Sequence, residues 1–156
     1  MALGEPSIAN GYTLPDVINE AIIESVKSGT ANGYTQASGT QQARAAIAAK
    51  FGTPEHPIDP NNVFVTFGCS GALQNAIAVL CETGDKILVP SPGFPLFQPI
   101  CQNLGVEWDF YALDASKNWE IDLANLESKI DSKTKAILVN NPSNPCGSCW
   151  TKEHME

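Results

Sequence analysis

Short apolar runs alternate with helical stretches along most of this sequence, and this alternation constrains the fold more than any other feature. Segments rich in β-branched and aromatic residues predict strands at 63–67, 86–90, 107–112 and 135–140. The intervening stretches predict helices at about 14–28, 40–51, 72–81, 96–104 and 121–130. Strands and helices that alternate at this spacing predict an α/β domain with a largely parallel sheet.

Local signals set several of the helix ends. Pro15 stands where a helix can dispense with an N–H donor, and Gly29 is suited to end that helix. Residues 72–81 are apolar on nearly every face, so this helix is expected to be deeply buried. Thr151 is suited to cap a last helix, whose apolar face would lie beyond Glu156. We therefore expect the chain to be part of a longer protein.

Composition argues against several classes of function. The formal net charge is −8 and the nine lysines and arginines are scattered, so sequence-independent binding to nucleic acid or anionic lipid is not expected. No apolar run reaches the roughly 18 residues of a membrane span, and no signal peptide is evident. The five cysteines are odd in number and lie in apolar surroundings, unlike a secreted disulfide framework. A cytoplasmic protein is the expectation.

The segment Gly68-Cys69-Ser70-Gly71 lies between a predicted strand and a predicted helix. Free backbone N–H groups and the helix dipole converge at such a junction and attract phosphate, and the Ser70 hydroxyl adds a donor. Glycines in this position also serve plain tight turns, so the local pattern leaves both interpretations open. The segment lacks the G-x-x-x-x-G-K-[ST] and G-x-G-x-x-G patterns of nucleotide sites.

Two proline-rich segments follow later strands. The segment 140–147 contains two Asn-Pro pairs, which force an extended path and hold amide side chains at the edge where α/β sheets bind ligands. The alternative is a rigid loop whose Asn side chains bond to their own backbone. In the segment 90–97 the prolines stiffen the loop, so Phe94 is suited to present a flat surface to an aromatic ligand. Without that context, a phenylalanine is usually a core residue.

These three segments, in this order and spacing, resemble fold-type-I pyridoxal-phosphate-dependent aminotransferases of class I and II, and among them the tyrosine aminotransferase group. Two further family landmarks match, Leu3-Gly4-Glu5-Pro6 and Asn32-Gly33-Tyr34, and the segment 119–123 is typical of the group. The resemblance runs nearly end to end. It implies the first half of the mostly parallel, three-layer α/β/α large domain of such an enzyme, incomplete in this chain.

The resemblance implies a set of cofactor-binding residues. Gly68, Cys69 and Ser70 match the family segment that cups the phosphate of pyridoxal 5′-phosphate. Phe94 matches the aromatic residue that stacks on the pyridine ring. Asn144 matches the asparagine that hydrogen-bonds the phenolic oxygen of the ring and helps to keep that oxygen anionic.

The resemblance also assigns roles near the beginning of the chain. Tyr34 matches a tyrosine that reaches across a dimer interface to the phosphate of the partner subunit, and Gly4 matches a glycine beside the substrate. Residues 1–36 would then form an entry segment and first helix near the substrate site and the dimer interface. Residues 37–156 would form the N-terminal part of the cofactor-binding large domain.

The reaction implied by the resemblance is transfer of an amino group from an amino acid, aromatic in this group, to a 2-oxo acid by a homodimer. A lysine must form the Schiff base with the cofactor and shuttle the proton. In the family that lysine lies beyond the position of residue 156, as do the aspartate at the ring nitrogen and the arginine for the substrate carboxylate. No catalytic residue is therefore expected here, and the chain alone is predicted to be inactive.

Two other classes of function remain as alternatives. One is a non-catalytic module that binds phosphate or dimerises and acts on a partner. The other is a nucleotide-binding α/β domain, which the missing glycine patterns disfavour. Cys146 and Cys149 have C-x-x-C spacing, but no second pair follows, so neither a metal site nor a redox site is expected.

Overall fold

The computed structural model describes residue 7 and residues 11–156, which form two compact units, 1–65 and 66–156. The predicted substrate glycine, Gly4, lies outside the described residues. The division predicted at residues 36 and 37 concerns roles in a complete enzyme and stays a prediction.

Within residues 11–65, two helices begin and end close to where the sequence predicts. Helix α1 (Asp16–Ser28) follows Pro15 and ends at Gly29, whose φ of 66° is left-handed. Helix α2 (Gln41–Phe51) is capped by Thr40, whose hydroxyl accepts a 3.3 Å hydrogen bond from the Ala43 N–H. A short 3₁₀ turn (Pro60–Asn62) comes later in this unit.

Arg44 on α2 is buried although it has no carboxylate partner among the described residues. Its guanidinium donates to the carbonyls of Gly39 and Pro60 at 3.2 and 2.8 Å. It also donates to the side-chain oxygens of Gln36 and Gln41 at 2.8 and 2.7 Å. The residue therefore ties the segment that leads into α2 to the 3₁₀ turn.

The second unit is an α/β structure. Its elements in chain order are α3 (Gly68–Leu80), β1 (Lys86–Ser91), α4 (Phe97–Leu104), β2 (Glu107–Asp114), β3 (Glu120–Ile121), α5 (Leu123–Lys129), β4 (Thr134–Ile137) and α6 (Lys152–Met155). The four strands form one sheet in the order β3-β2-β1-β4. Strand β1 pairs in parallel with β2 and β4, and β3 adds an antiparallel edge. The predicted α/β class with a largely parallel sheet is confirmed.

The central strand β1 is buried on both faces, as expected for a parallel strand between two layers. Because side chains alternate across a strand, Ile87 and Val89 enter one apolar cluster while Leu88 enters another. The first cluster packs β1 against α3 and α4. The second contains Tyr111 and Trp150, so the segment after β4 packs against β1 and β2.

Two expectations about the segment 63–81 were wrong. Residues 63–67 form no strand: Val63 is extended, and Val65 donates one hydrogen bond to the Ser38 carbonyl, but no described strand lies beside them. Apolar β-branched residues favour an extended backbone, yet a strand also requires a neighbour to complete a ladder. The helix predicted at 72–81 begins at Gly68 and is not deeply buried, because Ile77 is the one buried residue among the described residues of α3. Only one of its apolar faces meets the sheet layer.

Candidate functional site

The parallel strands β1 and β4 end at the same edge of the sheet, so the segments that follow them are neighbours. A cavity of about 430 Å³ lies there. Four residues singled out from the sequence share its lining: Cys69, Ser70, Phe94 and Asn144. The structure therefore gathers the three sequence segments, which are up to 75 positions apart (144 − 69), around one space.

The N-terminus of α3 supplies unpaired donors to this edge. Gly68 adopts a left-handed φ of 63°, and its N–H and carbonyl bond to the backbone carbonyl and the hydroxyl of Thr66 at 2.9 and 3.0 Å. The N–H groups of Cys69 and Ser70 have no acceptor among the described residues, and no side chain caps the helix. Two free N–H groups, the Ser70 hydroxyl and the positive end of a 13-residue helix can together hold an anion.

Phe94 is held at the cavity by a loop that requires glycine beside it. A Cβ on Gly93 would collide with the Pro90 carbonyl oxygen, so the turn accepts no larger residue without shifting the backbone. The Phe94 ring packs edge-to-face on Phe97, with centroids 6.3 Å apart and planes at 82°. Phe97 is buried in the core, whereas Phe94 is 41% exposed. A flat ring is thus fixed at one edge while part of its surface stays open.

The loop after β4 is held by its own asparagines. The Asn140 side-chain oxygen accepts from the Asn144 N–H at 3.0 Å, and its nitrogen donates to the Pro142 carbonyl at 3.2 Å. The Asn144 side chain itself is exposed and has no hydrogen-bond partner in the described part of the chain. The interpretation that the loop's asparagines bond to their own backbone is therefore correct for Asn140, while the amide of Asn144 remains available to a ligand.

Tyr111 on β2 makes a hydrogen bond to the segment that leads into this loop. Its hydroxyl donates a 2.8 Å hydrogen bond to the Leu138 carbonyl, two residues before Asn140. The side chain is fully buried, and desolvation raises the pKa of Tyr111 to about 12, so the hydroxyl keeps its proton. No sequence signal pointed to this role, because a tyrosine in a strand is usually an ordinary packing residue.

The lining of the cavity includes neither Tyr34 and Lys86 nor the two cysteines of the C-x-x-C pattern. Tyr34 is in the first unit, with its side chain fully exposed. Lys86 is buried at the amino end of β1, where it bonds to Asp131 at 2.7 Å and to the Lys129 carbonyl at 2.8 Å. Cys146 is half-buried and Cys149 is exposed, and both are free thiols. Within residue 7 and residues 11–156, no group of three or more potential metal ligands occurs.

The donor set fits a phosphorylated aromatic ring. Free N–H groups and a hydroxyl at a helix N-terminus suit a phosphate, and an exposed phenyl face suits an aromatic ring. An unpartnered amide across the same cavity suits a polar ring substituent. No lysine lines the cavity among the described residues.

Comparisons with known proteins point to one family. The family model described as aminotransferase class I and II matches residues 1–156. Tyrosine aminotransferase from Bos taurus is 39% identical over the whole chain, which covers 35% of that relative. Tyrosine aminotransferase from Dictyostelium discoideum is 41% identical over 99% of the chain, which covers 37% of it. The chain thus spans about a third of the length of these relatives.

Solved structures agree with these relatives. The crystal structure of tyrosine aminotransferase from Leishmania infantum matches 97% of this chain with a TM-score of 0.92 and 37% identity, over 43% of that chain. Alanine aminotransferase from Pyrococcus furiosus matches 97% of this chain with a TM-score of 0.89 and 31% identity, over 38% of that chain. The fold around the cavity is therefore the fold of these enzymes.

Proposed function

Because this chain belongs to the class I and II aminotransferase family, we propose that it forms the N-terminal part of the pyridoxal 5′-phosphate-binding domain of a longer aminotransferase. The observation that carries the proposal is the single cavity at the carboxyl edge of the sheet. There, Cys69, Ser70, Phe94 and Asn144 meet although they come from three separate segments. Pyridoxal 5′-phosphate has a phosphate, an aromatic ring and a phenolic oxygen, which this set of groups can bind.

The phosphate would be held at the N-terminus of α3. The N–H groups of Cys69 and Ser70 and the Ser70 hydroxyl would donate to its oxygens, and the left-handed turn at Gly68 leaves open space beside them. Local donors are required for an anionic ligand, because the chain as a whole carries a net charge of −8.

The ring would lie between Phe94 and the loop after β4. Phe94 would stack on the pyridine ring, and the Asn144 amide would donate to the phenolic oxygen and stabilise its negative charge. When bound, the cofactor supplies the electron sink for the carbanion at the substrate Cα. The described residues of this chain bind and orient the cofactor, and the amine that the chemistry requires would come from a lysine elsewhere in the complete protein.

The proposed substrates are an aromatic L-amino acid and a 2-oxo acid, in line with the tyrosine aminotransferases at 39–41% identity. We propose that the complete protein is a homodimer in the cytoplasm, with Tyr34 reaching the partner subunit's phosphate and Gly4 beside the substrate. No described helix is both long enough and apolar enough to cross a membrane.

A non-catalytic module that binds phosphate or dimerises is the second candidate. The observation that favours it is the lack of a lysine in the lining of the cavity among the described residues. The two candidates differ in whether the messenger RNA continues into a segment with the lysine and with an arginine for the substrate carboxylate. Sequencing the transcript therefore separates them.

The experiment that tests the proposal is an absorbance titration with pyridoxal phosphate, followed by borohydride reduction and mapping of any modified lysine. The 156-residue chain should give no site-specific adduct, whereas the complete protein should be labelled stoichiometrically at one lysine. Stoichiometric labelling of one lysine within the 156 residues would contradict the proposed division of roles. The absence of labelling in the complete protein would favour the non-catalytic module.

A further inference from the structure

Two consecutive residues other than glycine lie in the left-handed region of the backbone. Asn118 has a φ of 53° and Trp119 a φ of 57°. Asparagine tolerates this conformation, but for a bulky residue such as tryptophan it is rare and persists only where the surroundings fix it. Here the Trp119 N–H donates to the Asp114 carbonyl at 2.9 Å, which closes the turn.

This turn makes two hydrogen bonds to the segment that follows the Asn144 loop. The Asn118 side-chain nitrogen donates to the Cys149 carbonyl at 3.3 Å. The Trp150 indole N–H donates to the Trp119 carbonyl at 2.7 Å. We call Asn118, Trp119 and Trp150 the clasp. Both bonds depend on the left-handed turn, because the turn presents the Asn118 side chain and the Trp119 carbonyl to the same segment.

Trp150 connects the clasp to the loop. Its ring is 7% exposed and packs with Leu88, Tyr111 and Leu113 in the core. Its backbone N–H donates to the Asn141 side-chain oxygen at 3.1 Å, so the position of Trp150 sets the position of the loop.

The loop is closed internally between its two ends. The Ser143 N–H donates to the Ser148 carbonyl at 2.9 Å, and the Gly147 N–H donates to the Ser143 carbonyl at 2.8 Å. Together with the bond from the Asn144 N–H to Asn140, these contacts make residues 140–148 a braced unit. Because these bonds connect the two ends of the loop, we expect a shift at Trp150 to move Asn144 as well.

We infer that Asn118 and Trp150 are positioning residues, which hold the Asn144 amide at the cofactor cavity although neither lines that cavity. The inference rests on the proposed function, in which Asn144 donates to the phenolic oxygen of the cofactor. A role in packing alone would require only a large apolar side chain at 150. The indole hydrogen bond to a residue with a left-handed backbone is the feature that packing does not explain.

The test uses the complete protein loaded with pyridoxal phosphate and the variants Trp150→Phe and Asn118→Gly. Trp150→Phe keeps an aromatic ring but removes the indole donor. Asn118→Gly removes the side-chain donor, and its left-handed backbone suits glycine, so this variant should fold at least as well as the parent. Trp108→Phe is the matched control, because Trp108 is half-buried against the other core cluster and its indole makes no hydrogen bond among the described residues.

The readouts are the pH at which the absorbance of the bound cofactor changes and the rate of cofactor release. Both clasp variants should move the absorbance transition to higher pH, because the anionic phenolic oxygen loses part of its stabilisation. Both should speed release by about fivefold, as expected for one hydrogen bond of ordinary strength. Trp108→Phe should change neither readout.

A double-mutant cycle with Asn144→Ala distinguishes an effect that acts through Asn144 from a general loss of rigidity in the protein. If the clasp acts through Asn144, Asn118→Gly should have no further effect on the absorbance transition in the Asn144→Ala background. An unchanged transition in folded Asn118→Gly protein, or an equal shift with and without Asn144, would overturn the inference and leave the proposed function intact. A complete protein without any bound-cofactor absorbance would overturn both.

Discussion

The Tyr111 hydroxyl donates to the Leu138 carbonyl at 2.8 Å, and this bond joins the buried centre of β2 to the end of β4, just before the loop that carries Asn144. The tyrosine has no exposed surface, so the bond is made without competition from water. Replacing it with phenylalanine leaves the Leu138 carbonyl without this donor. We expect Tyr111→Phe to lower the free energy of unfolding by about 1–2 kcal/mol, measured by urea denaturation.

The same residue predicts a pH dependence at alkaline pH. Because the folded-state pKa of Tyr111 is about 12 and its ordinary value is 10.0, the folded state favours the protonated hydroxyl. This contribution to stability is complete below pH 10 and is lost as the pH rises toward 12. Stability curves should therefore fall over this range in the wild type and fall less steeply in Tyr111→Phe. Parallel curves would contradict the assignment.

The loop that presents Phe94 depends on Gly93. An added Cβ would meet the Pro90 carbonyl oxygen, which is backbone and cannot rotate away. Gly93→Ala should lower the free energy of unfolding by about 1–3 kcal/mol and weaken binding of pyridoxal phosphate. Gly33→Ala is the control for the effect on stability, because a Cβ at Gly33 would have no atom within 4 Å and the backbone there is not left-handed. Equal losses of unfolding free energy in the two variants would argue against the close approach at Pro90.

The ion pair between Lys86 and Asp131, at the amino end of β1, is expected to be sensitive to acid. The hydrogen bond from the Lys86 ammonium holds the pKa of Asp131 below its ordinary value of 3.8. A lowered carboxyl pKa stabilises the fold above 3.8 and ceases to do so as the pH falls through the lowered value. Asp131→Asn should therefore destabilise the chain at neutral pH, and the difference from wild type should shrink below pH 3.8. Glu55→Gln, at a side chain with no ion pair or hydrogen bond among the described residues, should show neither effect.

Arg44 is expected to hold the first unit together through neutral acceptors. Arg44→Met would leave two backbone carbonyls and two glutamine side chains without the guanidinium. We expect a loss of about 2–4 kcal/mol in the free energy of unfolding. Arg44→Lys should recover only part of it, because one ammonium cannot reproduce the planar fork of donors. The control is Gln42→Met, an exposed position on the same helix. Full recovery by lysine would show that charge alone matters.

Local sequence signals predicted the elements whose ends are set locally. Pro15, Gly29 and Thr40 act within one turn of their helices, and the apolar run that forms β1 is buried by both neighbouring layers. The segment 63–67 could not be predicted in this way, because its residues favour an extended backbone but cannot supply a neighbouring strand. The apolar composition of α3 predicted deep burial, but composition does not show which faces of a helix will have neighbours. Among the described residues, only one face of α3 is covered.

The sequence motifs identified the segments that form the site but not how those segments are arranged in space. The motifs around Ser70, Phe94 and Asn144 identified the candidate residues, and their common cavity follows from the parallel pairing of β1 and β4. The supporting residues Tyr111, Asn118 and Trp150 carry no such signal. Their roles depend on long-range hydrogen bonds and on a left-handed turn that only the folded chain reveals.

Binding of pyridoxal phosphate, compared with binding of pyridoxal, which lacks the phosphate, tests the proposed phosphate site at the N-terminus of α3. The variants are Ser70→Ala at the N-terminus of α3 and Gln74→Ala, an exposed position on the same helix, as control. Ser70→Ala should weaken the binding of pyridoxal phosphate about 5- to 10-fold and leave the binding of pyridoxal unchanged. Gln74→Ala should change neither affinity. Equal affinity for the two ligands, or equal weakening of both by Ser70→Ala, would contradict a phosphate site at this helix and with it the proposed function.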